Sequence, residues 1–326
     1  MARWCPSQPS RCSTSRWSIG SSAIKVIILT GPTASGKTEL LDSVFARGAF
    51  SFPPVAIVSA DAMQAYRCMD IGTAKPEPAL LSRLPHHLID IRDPDEQYTA
   101  GDFVHLADAL CSSMADEGVL PIVAGGTGFY IRNFICGPPL SPPSSAEVRQ
   151  RVAADLQSLG AEALRQELEA ADPPSAARIH DNDLYRLTRA VEILRTSGFP
   201  PSQFAPSDSP RVDYEFLIVG IERPRNELKA RIHARVEKMF DAGLAKEATA
   251  LIRAGYHPSN PGLKAIGYRE FYAMEGQPMT KIATAIELHT LQYAKRQMTF
   301  LRALPGIRWI GADPESLAAA VHSFIS

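Results

Sequence analysis

The stretch "GPTASGKT", which follows the apolar run "VIILT", constrains the fold of this chain more than any other feature. A glycine, four residues and Gly-Lys-Thr form a loop between a strand and a helix, whose backbone N–H groups surround a bound phosphate. The lysine adds a positive charge, the threonine hydroxyl can bind magnesium, and the helix that follows points its positive end at the ligand. The motif predicts a site for at least two linked phosphates and leaves open what carries them. Its members are Gly31, Pro32, Thr33, Ala34, Ser35, Gly36, Lys37 and Thr38.

Apolar runs alternate with helical patterns in the first half of the chain, which predicts an α/β fold with a mostly parallel sheet. A long amphipathic helix is expected over 100–117. Ligands of such sheets bind at the carboxyl ends of the strands, where both "GPTASGKT" and "GGTGFY" fall. The predicted strands cover 26–30, 55–59, 87–91, 120–124 and 215–220.

The pattern changes after "GPPLSPPSS". Amphipathic helices are predicted over 146–158, 161–170 and 181–197, and the proline- and serine-rich residues 198–210 predict a linker. An α/β core interrupted by a helical insertion is the simplest account. We expect a disordered leader over 1–22, a first part of the core over 23–140, the insertion over 141–205, and the second part of the core with C-terminal helices over 206–326.

Composition limits the function classes. The chain has 326 residues and a net charge of −1, so no overall basic charge indicates nucleic acid. No run of eighteen apolar residues occurs, so we expect no membrane span. The five cysteines are scattered and form no CxxC pair, which indicates neither a disulfide framework nor a zinc site and favours a reducing compartment.

Two polar side chains follow predicted strands at the edge where the phosphate loop lies. Asp61 ends the second strand in "VSADAMQAY", and we expect it to bind magnesium or to face the phosphate site. Thr127 in "AGGTGFY" offers a hydroxyl at the start of a helix. A helix cap is the alternative role for each side chain.

Two helical segments carry basic residues. In "YAKRQMTFLR" three cations surround Phe300, an arrangement that suits phosphate contacts and base stacking. A second basic helix contains Arg223, Arg225, Lys229, Arg231 and Arg235. A solvated helical face is the common explanation for such segments, so composition alone does not favour nucleic acid.

Taken together, several segments resemble the tRNA dimethylallyltransferase (tRNA isopentenyltransferase) family in its shorter, bacterial-type form without a zinc module. The resemblance implies a P-loop kinase-like parallel sheet with flanking helices and a helical insertion domain. The matching strings are "GPTASGKT", "SADAMQAYRCMDIGTAKP", "HHLIDIRDPDEQYTAGDF", "VAGGTGFYIRNF", "IGYRE" and "QYAKRQMTFLR".

The resemblance implies transfer of a dimethylallyl group from dimethylallyl diphosphate to N6 of adenosine 37, next to the anticodon of tRNA. Residues 31–38 and Arg269 would hold the diphosphate, with Mg²⁺ near Thr38. Asp61 matches the family's general base, and Thr127 matches the threonine that positions the base and the adenine. The residues implied to contact the tRNA anticodon loop are Asp61, Ala62, Met63, Gln64, Thr127, Arg149, Tyr185, Arg186, Leu187, Thr188, Arg189, Lys295, Arg296, Gln297, Met298, Thr299, Phe300, Leu301 and Arg302.

Three positions depart from the family pattern, which usually has serine at Ala62, glutamine at Tyr185 and tryptophan at Phe300. They bear on individual tRNA contacts and leave the phosphate loop and Asp61 untouched. We expect a cytoplasmic monomer. The nearest alternative is a small-molecule or nucleotide kinase with ATP in the loop. A nucleotide-binding switch is a further alternative, although no Asn-Lys-x-Asp element occurs.

Overall fold

The structure, a computed structural model, describes residues 23–138, 140–205 and 207–326, so the predicted leader lies outside the described residues. Within them, six strands form one sheet in which every neighbouring pair is parallel. The strands are β1 (Ile24–Thr30), β2 (Val55–Ser59), β3 (His86–His87), β4 (Leu120–Gly125), β5 (Tyr214–Ile221) and β6 (Arg308–Ile310). Their spatial order is β3-β2-β4-β1-β5-β6.

Helices connect and flank these strands. A π-helical turn (Asp42–Ala46) extends the first helix, and 3₁₀ turns lie at Pro201–Phe204 and Gly262–Lys264. The α-helices of the described residues are α1 (Lys37–Leu41), α2 (Pro78–Leu81), α3 (Ala100–Asp116), α4 (Gly128–Cys136), α5 (Ala146–Ser158), α6 (Gly160–Ala171), α7 (Pro173–Arg178), α8 (Leu184–Ser197), α9 (Arg225–Asp241), α10 (Leu244–Arg253), α11 (Arg269–Ala273), α12 (Met279–Leu301) and α13 (Pro314–Ile325).

The central strands are apolar along their length because helices cover both faces of the sheet. Side chains alternate between the faces, so Val26 and Ile28 of β1 join one buried cluster while Ile27 and Leu29 join the other. The first cluster includes residues of α3, α4 and α12, and the second includes residues of α1 and α13. The parallel α/β sheet predicted from the sequence is confirmed.

The outer strands differ from the prediction. The strand predicted over 87–91 is wrong beyond its first residue, because β3 covers only His86 and His87. Leu88 and Asp90 have φ angles of 65° and 57°, a left-handed conformation that ends the ladder. Strand β6 was not predicted, since three residues are too few to show a period of two.

The four helices of the insertion pack around a cluster of their own. Val152, Leu164, Leu168, Leu187 and Val191 are buried in it. Helix α5 has the predicted bounds. Helix α8 begins three residues later than predicted because the Asp183 side chain caps it by accepting from the backbone N–H of Arg186. The predicted domain bounds stay a prediction.

In the part of the chain that the structure describes, no helix is both long enough and apolar enough to cross a bilayer.

Candidate active site

The phosphate loop turns sharply between β1 and α1. Ala34 and Gly36 have φ angles of 60° and 97°, so two left-handed residues reverse the chain within the motif. The Lys37 ammonium lies across the loop and donates to the carbonyl oxygens of Gly31 and Pro32, each 2.9 Å away. Burial lowers the pKa of Lys37 to about 8; the nearby Asp61 opposes this shift. An anion bound in the loop could therefore replace these two carbonyl groups as the hydrogen-bond partner of Lys37.

Two arginines brace the outside of this loop. Arg223 Nε donates to the Ser35 carbonyl at 2.6 Å, and Arg231 Nε donates to the Ala34 carbonyl at 2.8 Å. Arg231 also pairs with Glu39 in the first turn of α1. The interpretation of this basic segment as a solvated helical face is therefore wrong for these two residues. Their cations fix the loop's own carbonyl groups.

Gln297 of α12 joins the phosphate loop to the glycine-rich loop after β4. Its Oε1 accepts from the Thr33 N–H at 2.8 Å, and its Nε2 donates to the Gly126 carbonyl at 2.7 Å. A Cβ on Gly126 would lie 2.4 Å from that Nε2, so only glycine admits the contact. Gln297 is 5% exposed, which leaves its side chain inside the protein rather than at a tRNA-contacting surface.

Asp61 lies just beyond the carboxyl end of β2. One carboxylate oxygen accepts from the Met63 N–H at 3.0 Å, which forms a local turn and no helix cap. Thr127 stands at the N-terminus of α4 but makes no side-chain cap either. Its hydroxyl instead accepts from the Ala62 N–H at 3.0 Å. The alternative roles as helix caps are therefore wrong, and a hydrogen bond holds the two chain segments together.

The strand ends approach each other closely around this pair. Thr127 N–H donates to the Ala60 carbonyl, and a Cβ on Gly125 would lie 2.2 Å from that same carbonyl oxygen. A glycine is thus required where β2 and β4 end. This approach brings Asp61 to the phosphate loop.

One cavity joins the two motifs. The Thr38 side chain is exposed there, and the Gln64 amide is held by Ser59 Oγ at 3.1 Å. The polar residues that line it are Lys37, Thr38, Ser59, Asp61, Gln64 and His86. His86 Nδ1 lies 2.7 Å from the Leu84 carbonyl, and since a carbonyl only accepts, Nδ1 carries the proton. Burial lowers the pKa of His86, so its imidazole is neutral at pH 7.

Two residues near this cavity were missed by sequence reasoning. Arg235 of α9 interacts electrostatically with Lys37 and Asp61, and its guanidinium has no hydrogen bond or ion pair within the described residues. Burial lowers its pKa, and Asp61 opposes that change. The four-residue spacing of Arg231 and Arg235 places both on one helix face, a signal that could have separated them from solvated cations.

The second is Tyr293 of α12. Its hydroxyl interacts with the side chains of Thr127 and Gln297. Burial, with a further contribution from Asp61, raises the pKa of Tyr293 to about 12. The tyrosine is therefore a neutral donor close to the two predicted catalytic residues.

Arg269 is not among the residues that line the cavity. Its Nε donates to Glu270 Oε1 at 2.9 Å, and its side chain is 41% exposed. A role in holding diphosphate stays a prediction for this residue.

The predicted tRNA-contacting residues of the insertion divide by exposure. Arg149 and Arg186 are exposed, and Tyr185 is 80% exposed. Leu187 is fully buried in the insertion's core, where it cannot reach a ligand. Thr188 Oγ1 donates to the Tyr185 carbonyl of the same helix.

Arg189 is partly buried and bonds within the insertion. Its guanidinium donates to Ser144 Oγ and pairs with Glu192. The residue therefore connects α8 to the segment that precedes α5.

The end of α12 shows the same division. Lys295, Arg296, Thr299 and Arg302 are exposed, whereas Leu301 is fully buried. Arg302 pairs with Glu222 at 2.9 Å. The buried residues at this end of the helix, Ala294, Gln297 and Leu301, are spaced three and four positions apart and face the core, which the basic pattern concealed.

Four more predicted contacts are half-buried. Ala62, Met63 and Phe300 pack against the larger core cluster, and Met298 is half-buried as well. A Cβ on Gly128 would lie 2.5 Å from the Phe300 ring, so that ring covers the start of α4.

Fold and site together define a P-loop α/β protein in which a phosphate-binding loop and a carboxylate share one cavity. The chain matches the family described as IPP transferase over residues 64–304. It is 40% identical over 295 residues to a tRNA dimethylallyltransferase of Geobacter sulfurreducens, covering 89% of this chain and 92% of the relative. The chain belongs to the IPP transferase family.

Solved structures agree with this assignment. The full-length tRNA isopentenylpyrophosphate transferase of Bacillus halodurans is 32% identical, with a TM-score of 0.64 over 93% of this chain and 95% of that one. A eukaryotic dimethylallyltransferase acting on tRNA shares the fold, with a TM-score of 0.74 and 24% identity over 90% of this chain and 75% of that chain. The P-loop kinase-like fold expected from the resemblance is confirmed, and the kinase alternative is not favoured.

Proposed function

We propose that this protein transfers a dimethylallyl group from dimethylallyl diphosphate to N6 of the adenosine next to the anticodon of tRNA, releasing diphosphate. Family membership supports the reaction. The observation that carries it is the single cavity in which Lys37 and Thr38 of the phosphate loop face Asp61.

The loop would bind the leaving group. When the allylic C–O bond breaks, its electron pair moves to the diphosphate oxygen, so negative charge grows on that group. Backbone N–H groups of the loop would stabilise this charge, as would the Lys37 ammonium once it exchanges the Gly31 and Pro32 carbonyls for the diphosphate. Arg235 adds a second cation beside Lys37 that no protein acceptor occupies among the described residues.

Magnesium fits these residues as a partner of the diphosphate. In the described part of the chain no group of three His, Cys, Asp or Glu side chains forms a cage for a metal. Mg²⁺ commonly binds through one or two carboxylates together with substrate phosphates and water. Thr38 offers a hydroxyl ligand at this cavity, where diphosphate oxygens and water would supply the other ligands. The ion would neutralise charge on the diphosphate and aid its departure.

The adenine amine is a weak nucleophile because its lone pair is delocalised into the ring. As the bond from N6 to the allylic carbon forms, an N6 proton must leave, and Asp61 is the cavity carboxylate that would accept it. Thr127 and Tyr293 lie beside Asp61 and would orient the base and the adenine. An adenosine in a stacked loop must be extruded to reach this cavity.

The exposed cations suit the tRNA backbone. Arg149, Arg186 and Lys295 present charge to solvent, and Tyr185 presents an aromatic face on which a base could stack. These local groups provide a basic surface without a basic net charge.

We also propose that the protein works as a cytoplasmic monomer. The described cysteines, Cys68, Cys111 and Cys136, are free thiols, which agrees with a reducing compartment. The elution volume of the purified protein, with and without tRNA, tests the monomer directly.

The test is a reaction of purified protein with Mg²⁺, dimethylallyl diphosphate and unmodified tRNA, analysed by mass spectrometry of the nucleosides. We expect one prenylated adenosine per substrate tRNA. Parallel reactions with ATP and no prenyl donor serve as the control. Consumption of ATP with unchanged tRNA mass would replace the proposal with the kinase alternative.

A further inference from the structure

A carboxylate outside the cavity holds three consecutive backbone N–H groups of a loop. Glu247, in the first turn of α10, accepts from the N–H of Asp70 at 3.0 Å, of Ile71 at 3.0 Å and of Gly72 at 3.2 Å. Consecutive N–H groups that converge in this way form an anion-binding nest. Here the anion is supplied by a helix 175 residues further along the chain.

Tyr268 completes the arrangement. Its hydroxyl donates to Glu247 and accepts from the Gly72 N–H at 3.0 Å. A Cβ on Gly72 would lie 2.4 Å from the Tyr268 ring, so the ring and the loop are in direct contact. Burial and the neighbouring carboxylate both raise the pKa of Tyr268, which keeps its proton available for this bond.

The loop leads directly to the cavity. Immediately after the nest, the carbonyl groups of Thr73 and Ala74 accept from Gln64 Nε2 at 3.4 Å and 3.2 Å. The other end of the Gln64 amide accepts from Ser59 Oγ at the end of β2. Gln64 lines the cavity beside Lys37 and Asp61. Its orientation therefore depends on where the loop carbonyls lie.

We infer that Glu247 is a positioning residue, which orients Gln64 toward the substrate adenosine by fixing the loop of residues 70–74. This inference rests on the proposed function for its substrate. It also implies that the "IGYRE" segment supports this loop through the contacts of Tyr268. Neither Glu247 nor Tyr268 touches the reacting atoms.

The experiment is a double-mutant cycle with Glu247→Gln and Gln64→Ala, measured as kcat and KM for tRNA. Glutamine keeps the size of the side chain but loses the charge that four donors share, three backbone N–H groups and the Tyr268 hydroxyl. We expect Glu247→Gln to lower kcat/KM for tRNA about tenfold, corresponding to ~1.4 kcal/mol, with KM for dimethylallyl diphosphate changed less than twofold. In the Gln64→Ala background, Glu247→Gln should lower kcat/KM for tRNA less than twofold. Independent, multiplicative losses would overturn the inference, because a general loss of stability does not depend on Gln64.

A second readout does not need activity. Hydrogen exchange of the amides of residues 70–74 should accelerate at least tenfold in Glu247→Gln and remain unchanged in the matched control Glu237→Gln, an exposed carboxylate on α9. Tyr268→Phe, which keeps the ring, should give a smaller change in the same direction and replaces Glu247→Gln if that variant does not fold. Unchanged exchange in these amides would overturn the inference. A wild-type protein that prenylates no tRNA would instead refute the proposed function.

Discussion

Arginines lie both around the phosphate loop and on the helical insertion, but the two groups differ in their contacts and exposure. Around the loop, Arg223 and Arg231 are bound to carbonyl groups of the protein itself. On the insertion, Arg149 and Arg186 are exposed. The phosphate loop is therefore held by contacts within the protein, whereas these two insertion arginines lie in solvent. Stabilisation of a transition state needs dipoles that are fixed in advance. Contacts to the phosphates of a tRNA anticodon loop position the RNA and do not need such fixed dipoles.

The largest effect should come from the carboxylate at the centre. Asp61→Asn removes the proton acceptor while keeping its shape, so we expect kcat to fall by about 10² to 10⁴-fold. The affinity for tRNA should stay within about threefold, measured by filter binding.

The matched control is Asp116→Asn, at the exposed end of α3, which should leave both quantities unchanged. Equal losses of rate and affinity in Asp61→Asn would make this carboxylate a binding residue. The contrast between the two regions would then disappear.

A second prediction concerns the stability of the fixed region. Gln297→Ala leaves the Thr33 N–H and the Gly126 carbonyl without their side-chain partner. We expect the free energy of unfolding to fall by about 2–4 kcal/mol, because buried polar groups lose their bonds and a cavity forms. Urea denaturation measures it.

Gln292→Ala, an exposed position on the same helix, is the control and should change the free energy of unfolding by less than about 0.5 kcal/mol. If Gln297→Ala also changed the free energy of unfolding by less than about 0.5 kcal/mol, the Gln297 side chain would not be what holds the two loops together.

These contacts mark the limit of sequence reasoning. The positions of Asp61 and Thr127 were predictable, because the carboxyl ends of parallel strands meet at one edge. The burial of Gln297 was not, since its partner Thr33 is 264 residues away and helical periodicity does not say which loop a face will meet. Arg235 was hidden for the same reason inside an apparently solvated basic helix. The early end of β3 was not predictable, because it comes from left-handed residues that no sequence pattern indicates.

The third prediction is a pH dependence of the fixed region. The pKa of Lys37 is about 8, so its ammonium loses its proton as the pH rises above that value. On the proposed function the charged form binds the diphosphate, so affinity for dimethylallyl diphosphate should be full well below pH 8 and should fall as the pH rises through 8, by at most tenfold per pH unit for one proton. Titration calorimetry between pH 7 and pH 9.5 would follow this change.

Lys37→Arg is the informative variant, because arginine stays charged throughout this range. Its affinity should be lower than that of the wild type and flat with pH. If the affinity of the wild type for dimethylallyl diphosphate were also independent of pH, groups other than Lys37 would supply the positive charge that binds the diphosphate.

The smallest effects are expected on the insertion. Tyr185→Ala should raise KM for tRNA about fivefold, the loss of roughly 1 kcal/mol of base stacking, with kcat unchanged. Stability should be unaffected, since the side chain is 80% exposed.

Phe199→Ala removes another exposed aromatic ring beyond the opposite end of α8 and is its control, with no expected change. A fall in kcat for Tyr185→Ala would mean that the insertion takes part in arranging the reacting centre.

The central claim is that the phosphate loop and Asp61 act on two ends of one reaction. It is tested most directly by a crystal structure of the protein with an anticodon stem-loop and a non-reactive thio-analogue of dimethylallyl diphosphate. We predict the diphosphate within residues 31–38 and the adenine N6 about 2.6–3.2 Å from the Asp61 carboxylate. A diphosphate bound elsewhere, or an adenine amine out of reach of Asp61, would contradict the account.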